Sequence, residues 1–331
     1  MTFSATLARI AVSSFLTLFA VAIPSAFAQS GQNDISPDTQ LAGISVRPQG
    51  VPSEYVVTPN GYFAAACVQT VHAGEKLHRD GSIEQAVGSV RKPSVCTQPH
   101  YTFNGTRIEA NSRVQQPTVS GWVSDTNYVS STSLGRIVAD WTVPKEPSNK
   151  GTQVIYFFPG FEQLPTVNSI LQPVLGWNTL GSGAYPGWAL SSWNCCVNGT
   201  TYNSDPISVS VGDQIHGDTY STCAAGVEDC ATWDIVSTDS TSGAKTTLTT
   251  DPQITLGTSN MTWAFGGVLE AYGISTCNQY PASGSTTFTN IEVYDFNLHQ
   301  VTPTWSTMTT TQTPQCSYAV SSTSSTTKLT Y

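Results

Sequence analysis

The sequence predicts an all-β protein, a two-sheet antiparallel β-sandwich over residues 116–331 behind an N-terminal pro- or accessory region. Three observations predict it. Short apolar runs rich in β-branched and aromatic residues recur from Ser120 onward, with Gly- and Pro-marked turns between them. No helical periodicity persists beyond two turns, apart from an ambiguous stretch at Ile83–Val90. Charged residues make up only 11% of the chain, against about 25% in an average soluble protein, while Thr, Ser, Gly, Trp and Tyr are abundant. That balance suits sheets with hydroxyl-bearing outer faces.

From the N-terminus, one basic residue, Arg9, precedes an apolar run over Ile10–Ile23 and the small-residue pattern Ala26-Phe27-Ala28. This is the layout of a cleavable export signal over residues 1–28, because an Ala-x-Ala step fits the cleavage pocket. A membrane anchor needs about 20 apolar residues, and this run is shorter and broken by Pro24. The mature chain is therefore expected to be secreted and extracellular, with no membrane association after cleavage. Residues 29–115 read as a leader followed by a disulfide-tied pro- or accessory region. To about residue 50 the leader is polar and aperiodic. Beyond it, apolar Tyr55–Val57 and Tyr62–Val71 are set off by the turn signals Pro59-Asn60-Gly61 and Arg79-Asp80-Gly81. A propeptide would be removed on activation; a subdomain would stay.

The expected strands of the sandwich are Gly135–Val143, Gln153–Phe158, Ser169–Trp177, Trp188–Trp193, Ile207–Val211, Gln214–Tyr220, Thr232–Asp239, Ala244–Thr250, Met261–Tyr272 and Thr286–Tyr294, with Tyr318–Tyr331 adding edge strands. Gly212 and Gly243 each mark a hairpin. Eight cysteines, an even number in a chain with an export signal, imply disulfides. The pairings expected are Cys67 with Cys96 and Cys223 with Cys230. Zinc is disfavoured, since no Cys-x-x-Cys occurs and histidines are few, so neither metal nor cofactor is expected.

Charge is uneven. Residues 29–113 carry seven acids and seven bases, whereas fifteen acids face five bases from Val114 onward. A domain that negative repels phosphate backbones, which argues against a nucleic-acid partner. The motifs of serine hydrolases, zinc proteases, P-loops and dinucleotide folds are all missing. Carboxylate chemistry remains, and beyond Val114 only five glutamates can supply it: Glu146, Glu162, Glu228, Glu270 and Glu292. Glu146 and Glu228 sit in polar loops, and Glu292 can face solvent by alternation. Glu162 and Glu270 lie among strongly apolar neighbours, where a charge is costly unless partnered or functional. Gln172 occupies a strand, Ser-Ile-Leu-Gln-Pro-Val-Leu, too apolar for a casual amide.

The stretch Val154–Val174, with its aromatic strand, a Gly160-Phe161-Glu162 step and Ile170-Leu171-Gln172 ten residues after the acid, resembles the glutamic peptidases called eqolisins. The likeness continues through Trp188–Trp193, a Gly212-Asp213 turn and a Trp-x-x-x-x-x-Leu-Glu strand ending at Glu270, and spans roughly residues 120–297. Neprosin-like peptidases share this general plan. The resemblance implies a concanavalin- or lectin-like sandwich whose groove holds a glutamine and a glutamate on neighbouring strands. Carried over, Glu270 would be the general base and then acid, and Gln172 the donor to the oxyanion. One position departs from the pattern: the eqolisin strand carries two glutamates four residues apart, Glu270 falls on the second, and Gly266 stands at the first. Strand alternation would put Gly266 and Glu270 on one face, so Glu270 could take over the role with Glu162 as a second carboxylate.

Each candidate also has a structural explanation: Gln172 could satisfy buried backbone, Glu270 could be a hydrogen-bonded structural acid, and Glu162 an exposed loop acid. Tryptophans mostly build cores, and Trp177, Trp188 and Trp193 are the candidates to line a groove. The function expected is a secreted acid endopeptidase, a monomer acting on extracellular protein or peptide. Two rivals stand beside it. A glycan-binding module on the same fold would bind polysaccharide through tryptophans and amides, and a glycoside hydrolase would pair Glu162 with Glu270. The Glu-x-Asp-x-x-Glu strand common in sandwich glycosidases is missing.

Overall fold

A single strand of 21 residues, Trp122–Thr142, ties the two sheets of the sandwich together. Its first half pairs with Met261–Tyr272 in one sheet, and its second half pairs with both Gln214–Ser221 and Ser285–Asp295 in the other. The computed structural model describes residues 43–44, 47–92, 95–110, 121–165, 169–181, 185–197, 199–254 and 257–331. These belong to one compact unit. The export-signal expectation over residues 1–28 lies outside them, as does most of the leader.

The site-bearing sheet runs in the order Trp188–Val197, Ile170–Trp177, Val154–Glu162, Met261–Tyr272 and the first half of the long strand, all antiparallel. Every residue of Val154–Glu162, Ile170–Trp177 and Trp188–Val197 is buried, so both faces of this sheet are covered. The second sheet, with Gln214–Ser221, Trp233–Asp239 and Lys245–Thr250, alternates buried and half-buried residues as a one-sided sheet does. Between the sheets lie Phe157, Leu175, Trp177, Trp188, Leu190 and Trp141. Polar contacts also cross the interior: Ser192 and Ser237 hydroxyls lie 2.9 Å apart, and the Asn194 amide donates to Thr250 at 2.8 Å.

The opposite face of the site-bearing sheet is closed by residues 47–110. Four short strands, Val56–Thr58, Gly61–Phe63, His100–Tyr101 and Arg107–Ile108, form a small sheet that presses Tyr55, Val57, Tyr62, Phe63 and Phe103 onto Trp122, Tyr156, Phe158, Trp193, Trp263, Phe265 and Tyr272. Cys67–Cys96 staples this cover internally. Two edges attach it to the sandwich, with Val68–Val71 parallel to Thr201–Ser204 and Lys76–Leu77 parallel to Thr249–Thr250. Lys76 and His78 reach Asp251 at 3.0 and 3.1 Å.

Sequence and structure differ at two places. Ile83–Val90 is no helix: Ile83–Glu84 pairs with Val90–Arg91 as a hairpin, and the two-residue strands are too short to show a period. Gly243 turns a true hairpin between Trp233–Asp239 and Lys245–Thr250. Gly212 does not, since Ile207–Ser208 pairs with Ala189–Leu190, and Gly212, at φ +93°, donates instead to Val143 at 3.0 Å. Cys223–Cys230 forms as expected, and the four remaining cysteines pair as Cys195–Cys196 and Cys277–Cys316.

The cover turns on Gly61, at φ +107°, where a Cβ would lie 2.3 Å from the Tyr101 carbonyl oxygen. Gly61→Ala adds a left-handed penalty of roughly 1–2 kcal/mol per residue to that collision. The expected result is preferential proteolysis within residues 47–110 while the sandwich stays intact, read by mass spectrometry of the fragments.

Candidate active site

Strand alternation fixes which side chains meet. On Val154–Glu162, Tyr156 and Phe158 point toward the cover while Ile155, Phe157 and Phe161 point into the sandwich. Tyr156 lies opposite Glu270, and Glu162 lies opposite both Trp263 and Ile170. Gln172 stands between Ile170 and Val174, opposite Trp193, and these three neighbours all face the cover. Glu162, Gln172 and Glu270 therefore share one face of one sheet, drawn from three adjacent strands. All three are fully buried.

Their hydrogen bonding is incomplete. Both carboxyl oxygens of Glu162, both amide atoms of Gln172, Oε2 of Glu270 and the indole nitrogens of Trp122 and Trp263 have no partner among the described residues. A buried polar atom left unpaired costs roughly 1–3 kcal/mol, so native proteins hold few, and a cluster of them on one face marks a place built for something other than stability. Glu270 has one anchor, the Tyr272 hydroxyl, which donates to Oε1.

Burial sets the protonation states. It pushes the Glu162 carboxyl well above the usual carboxylate range, with the charges of Glu270 and Asp125 adding to the shift. Burial also raises Glu270 to about 8, against the pull of the Tyr272 hydrogen bond. A cavity of about 640 Å³ between cover and sandwich is lined by Arg47, Tyr62, Tyr272 and Gln279, while Tyr272 and both acids are buried. No cluster of three or more metal-ligating side chains occurs among the described residues.

The other candidates separate. Trp193 joins the acid face, its indole nitrogen donating to Ser191 at 2.7 Å. Trp177 and Trp188 lie on the far side of the same sheet, edge to face at 5.3 Å within the sandwich interior, so they do not accompany the acids. Glu146 and Glu228 are exposed, bonded to Lys150 and Ser133. The shared parity expected for Gly266 and Glu270 fails at a β-bulge: the register steps from Phe158 opposite Val268 to Gly160 opposite Phe265. A Cβ on Gly266 would lie 2.9 Å from the Trp305 ring, and one on Gly267 2.5 Å from Phe288. Both rings belong to the interior side, so position 266 points away from Glu270 and has room only for glycine. Tyr272, Trp122 and Trp263 were not singled out as site residues; only Tyr272, two residues beyond Glu270, was within reach of a parity argument.

No protein-family model matches this chain, and no curated protein matches it. Among solved structures, a scytalido-glutamic peptidase with a transition state analog inhibitor aligns at 17% identity over 65% of this chain and 100% of its own, with a TM-score of 0.44. SCP-B, a member of the eqolisin family of peptidases, aligns at 16% identity over 63% of this chain and 98% of its own, with a TM-score of 0.41. Aspergilloglutamic peptidase from Aspergillus niger aligns at 18% identity over 54% of this chain and 98% of its own, with a TM-score of 0.36. At this distance the chemistry has to come from the side chains of the chain itself.

Three buried groups give the fold a pH optimum, His100 on the acid side and Glu162 and Glu270, both raised by burial, on the alkaline side. Burial holds His100 at about 4, below its ordinary 6.5; its ring stacks on Phe63 at 4.5 Å and neither nitrogen has a partner. Unfolding lets it take a proton, so its contribution is lost as pH falls from 6.5 through about 4. Glu270 works in the opposite sense. Its contribution is complete below the ordinary 4.5 and is lost as pH rises through about 8. A Tm series is expected to peak between these ordinary values, with His100→Phe reducing the acid-side fall and Glu270→Gln the alkaline-side fall.

Proposed function

We propose that the chain is a secreted endopeptidase of the glutamic type, in which Glu270 transfers protons, Gln172 stabilises the oxyanion and Glu162 serves as a second carboxyl. One observation carries this reading: two carboxyls and an amide with unused hydrogen-bonding atoms lie on one buried face of three adjacent strands. In the working state Oε2 of ionised Glu270 takes a proton from water as the water oxygen bonds to the peptide carbonyl carbon. The Gln172 amide donates to the oxygen that gains charge. Collapse of the tetrahedral species breaks the C–N bond, and the proton held on Oε2 passes to the leaving nitrogen. Glu162, kept neutral by burial and by the neighbouring charge of Glu270, can donate but not accept, which gives the two acids opposite parts. An orphaned amide on the face that carries the acids favours a peptide substrate over a glycoside, since glycoside hydrolysis needs only the acids.

The covered form has two obstacles to this reaction. Tyr62 and Phe103 pack on Tyr272 beside Glu270, and burial keeps Glu270 protonated up to about pH 8. Residues 29–115 accordingly act as a pro-region that must be cut or displaced, after which solvation returns Glu270 toward the ordinary carboxylate range and makes it a base at mildly acidic pH. Four disulfides, with no free cysteine among the described residues, and the export-signal pattern support an extracellular location; no helix among the described residues is long and apolar enough to cross a membrane.

Casein hydrolysis at mildly acidic pH, before and after limited proteolysis of residues 47–110, tests the reading. Cutting the cover is expected to raise the rate. In the cut enzyme Glu270→Gln is expected to lower kcat by about 100- to 10,000-fold, and Gln172→Ala by about 100- to 1,000-fold with little change in KM. Wild-type rates in both variants would refute the site.

A further inference from the structure

Glu270 is held in an asymmetric way that the reaction alone does not explain. Its Oε1 accepts from the Tyr272 hydroxyl, while Oε2 has no partner. The two residues are separated by one position on the same strand, so both side chains rise from the same face. Backbone just ahead of the neighbouring strand closes the third side: a Cβ on Gly121 would lie 2.8 Å from Glu270 Oε1 and 3.0 Å from the Tyr272 oxygen. The tyrosine is itself fixed from the cover. Tyr62 meets its ring edge to face at 5.3 Å and 84°, and Phe103 does so at 5.2 Å and 63°.

We infer that Tyr272 is a positioning residue for Glu270, binding Oε1 so that Oε2 alone is presented for proton transfer, with the Gly121 backbone closing on the pair. A carboxyl gripped through one oxygen cannot exchange its two oxygens by rotation, so the lone pair that takes the water proton keeps one direction. The donor hydroxyl also favours the ionised form of the acid, the form a general base requires. Tyr62 and Phe103 lend the ring rigidity while the cover is in place. After the cover leaves, the hydroxyl and the Gly121 backbone are the parts of this grip that remain. The inference deepens the peptidase reading and rests on it for the role of Oε2, while the grip on Oε1 stands on its own geometry.

The experiment uses the full-length chain with 13C-carboxyl-labelled glutamate, the Glu270 resonance being assigned by its loss in Glu270→Gln. Tyr272→Phe keeps the ring and removes the donor. Its expected effect is an upward move of the Glu270 titration midpoint, by about tenfold in the protonation equilibrium. In the cut enzyme the acid limb of the pH–rate profile is expected to move the same way, with kcat lowered and KM unchanged. Gly121→Ala, which keeps the hydroxyl but crowds Oε1, serves if Tyr272→Phe does not fold, and the same upward move is expected. An unchanged midpoint in a folded variant overturns the inference. Absence of peptide hydrolysis by wild type would instead count against the peptidase reading, with the titration still deciding whether Tyr272 holds Glu270.

Discussion

Everything distinctive in this protein follows from keeping two carboxyls and an amide out of water on the face of a sheet. Glu162, Gln172 and Glu270 are unpaired or half-paired at zero exposure. The fold offsets that cost with aromatic burial on both sides of the face. From below come Trp122, Phe158, Trp263 and Phe265, in ring contact at 5.1 to 6.2 Å. From above come Tyr62, Phe63 and Phe103, each full burial contributing about 1.5–3 kcal/mol. The same packing that holds the cover in place keeps both acids out of water.

This arrangement explains why the attachment of the cover is peripheral. The parallel pairings at Thr201–Ser204 and Thr249–Thr250 lie at sheet edges, and the Lys76, His72 and His78 contacts to Asp251 and Asp205 are partly or largely exposed. Solvated ion pairs of this kind are worth little. The firm hold is hydrophobic and central, at the acid face itself.

Strand positions were legible because composition and periodicity are local. Ser169–Trp177, Gln214–Tyr220 and Met261–Tyr272 were readable from β-branched and aromatic runs to within a residue or so. The unusual character of Glu162, Gln172 and Glu270 was legible too, since an acid or amide inside an apolar run is anomalous in any fold. What failed was counting across irregularities. Gly266 was assigned the parity of Glu270, but the bulge at Gly266–Gly267 adds a residue and turns position 266 toward Trp305. Trp177 and Trp188 looked like groove residues because aromatic content says nothing about which face a residue takes.

The sequence by itself determined the strand content, the presence of two acids and an amide in apolar surroundings, and a separate N-terminal segment with its own disulfide, because each depends only on neighbours along the chain. Only the tertiary structure decided that these three side chains share a face, that Tyr272 and Gly121 close on one of them, and that the N-terminal segment packs against that face. Those facts depend on the order of strands in the sheet and on the register between them, set by packing among residues far apart in sequence and by one extra residue in a bulge.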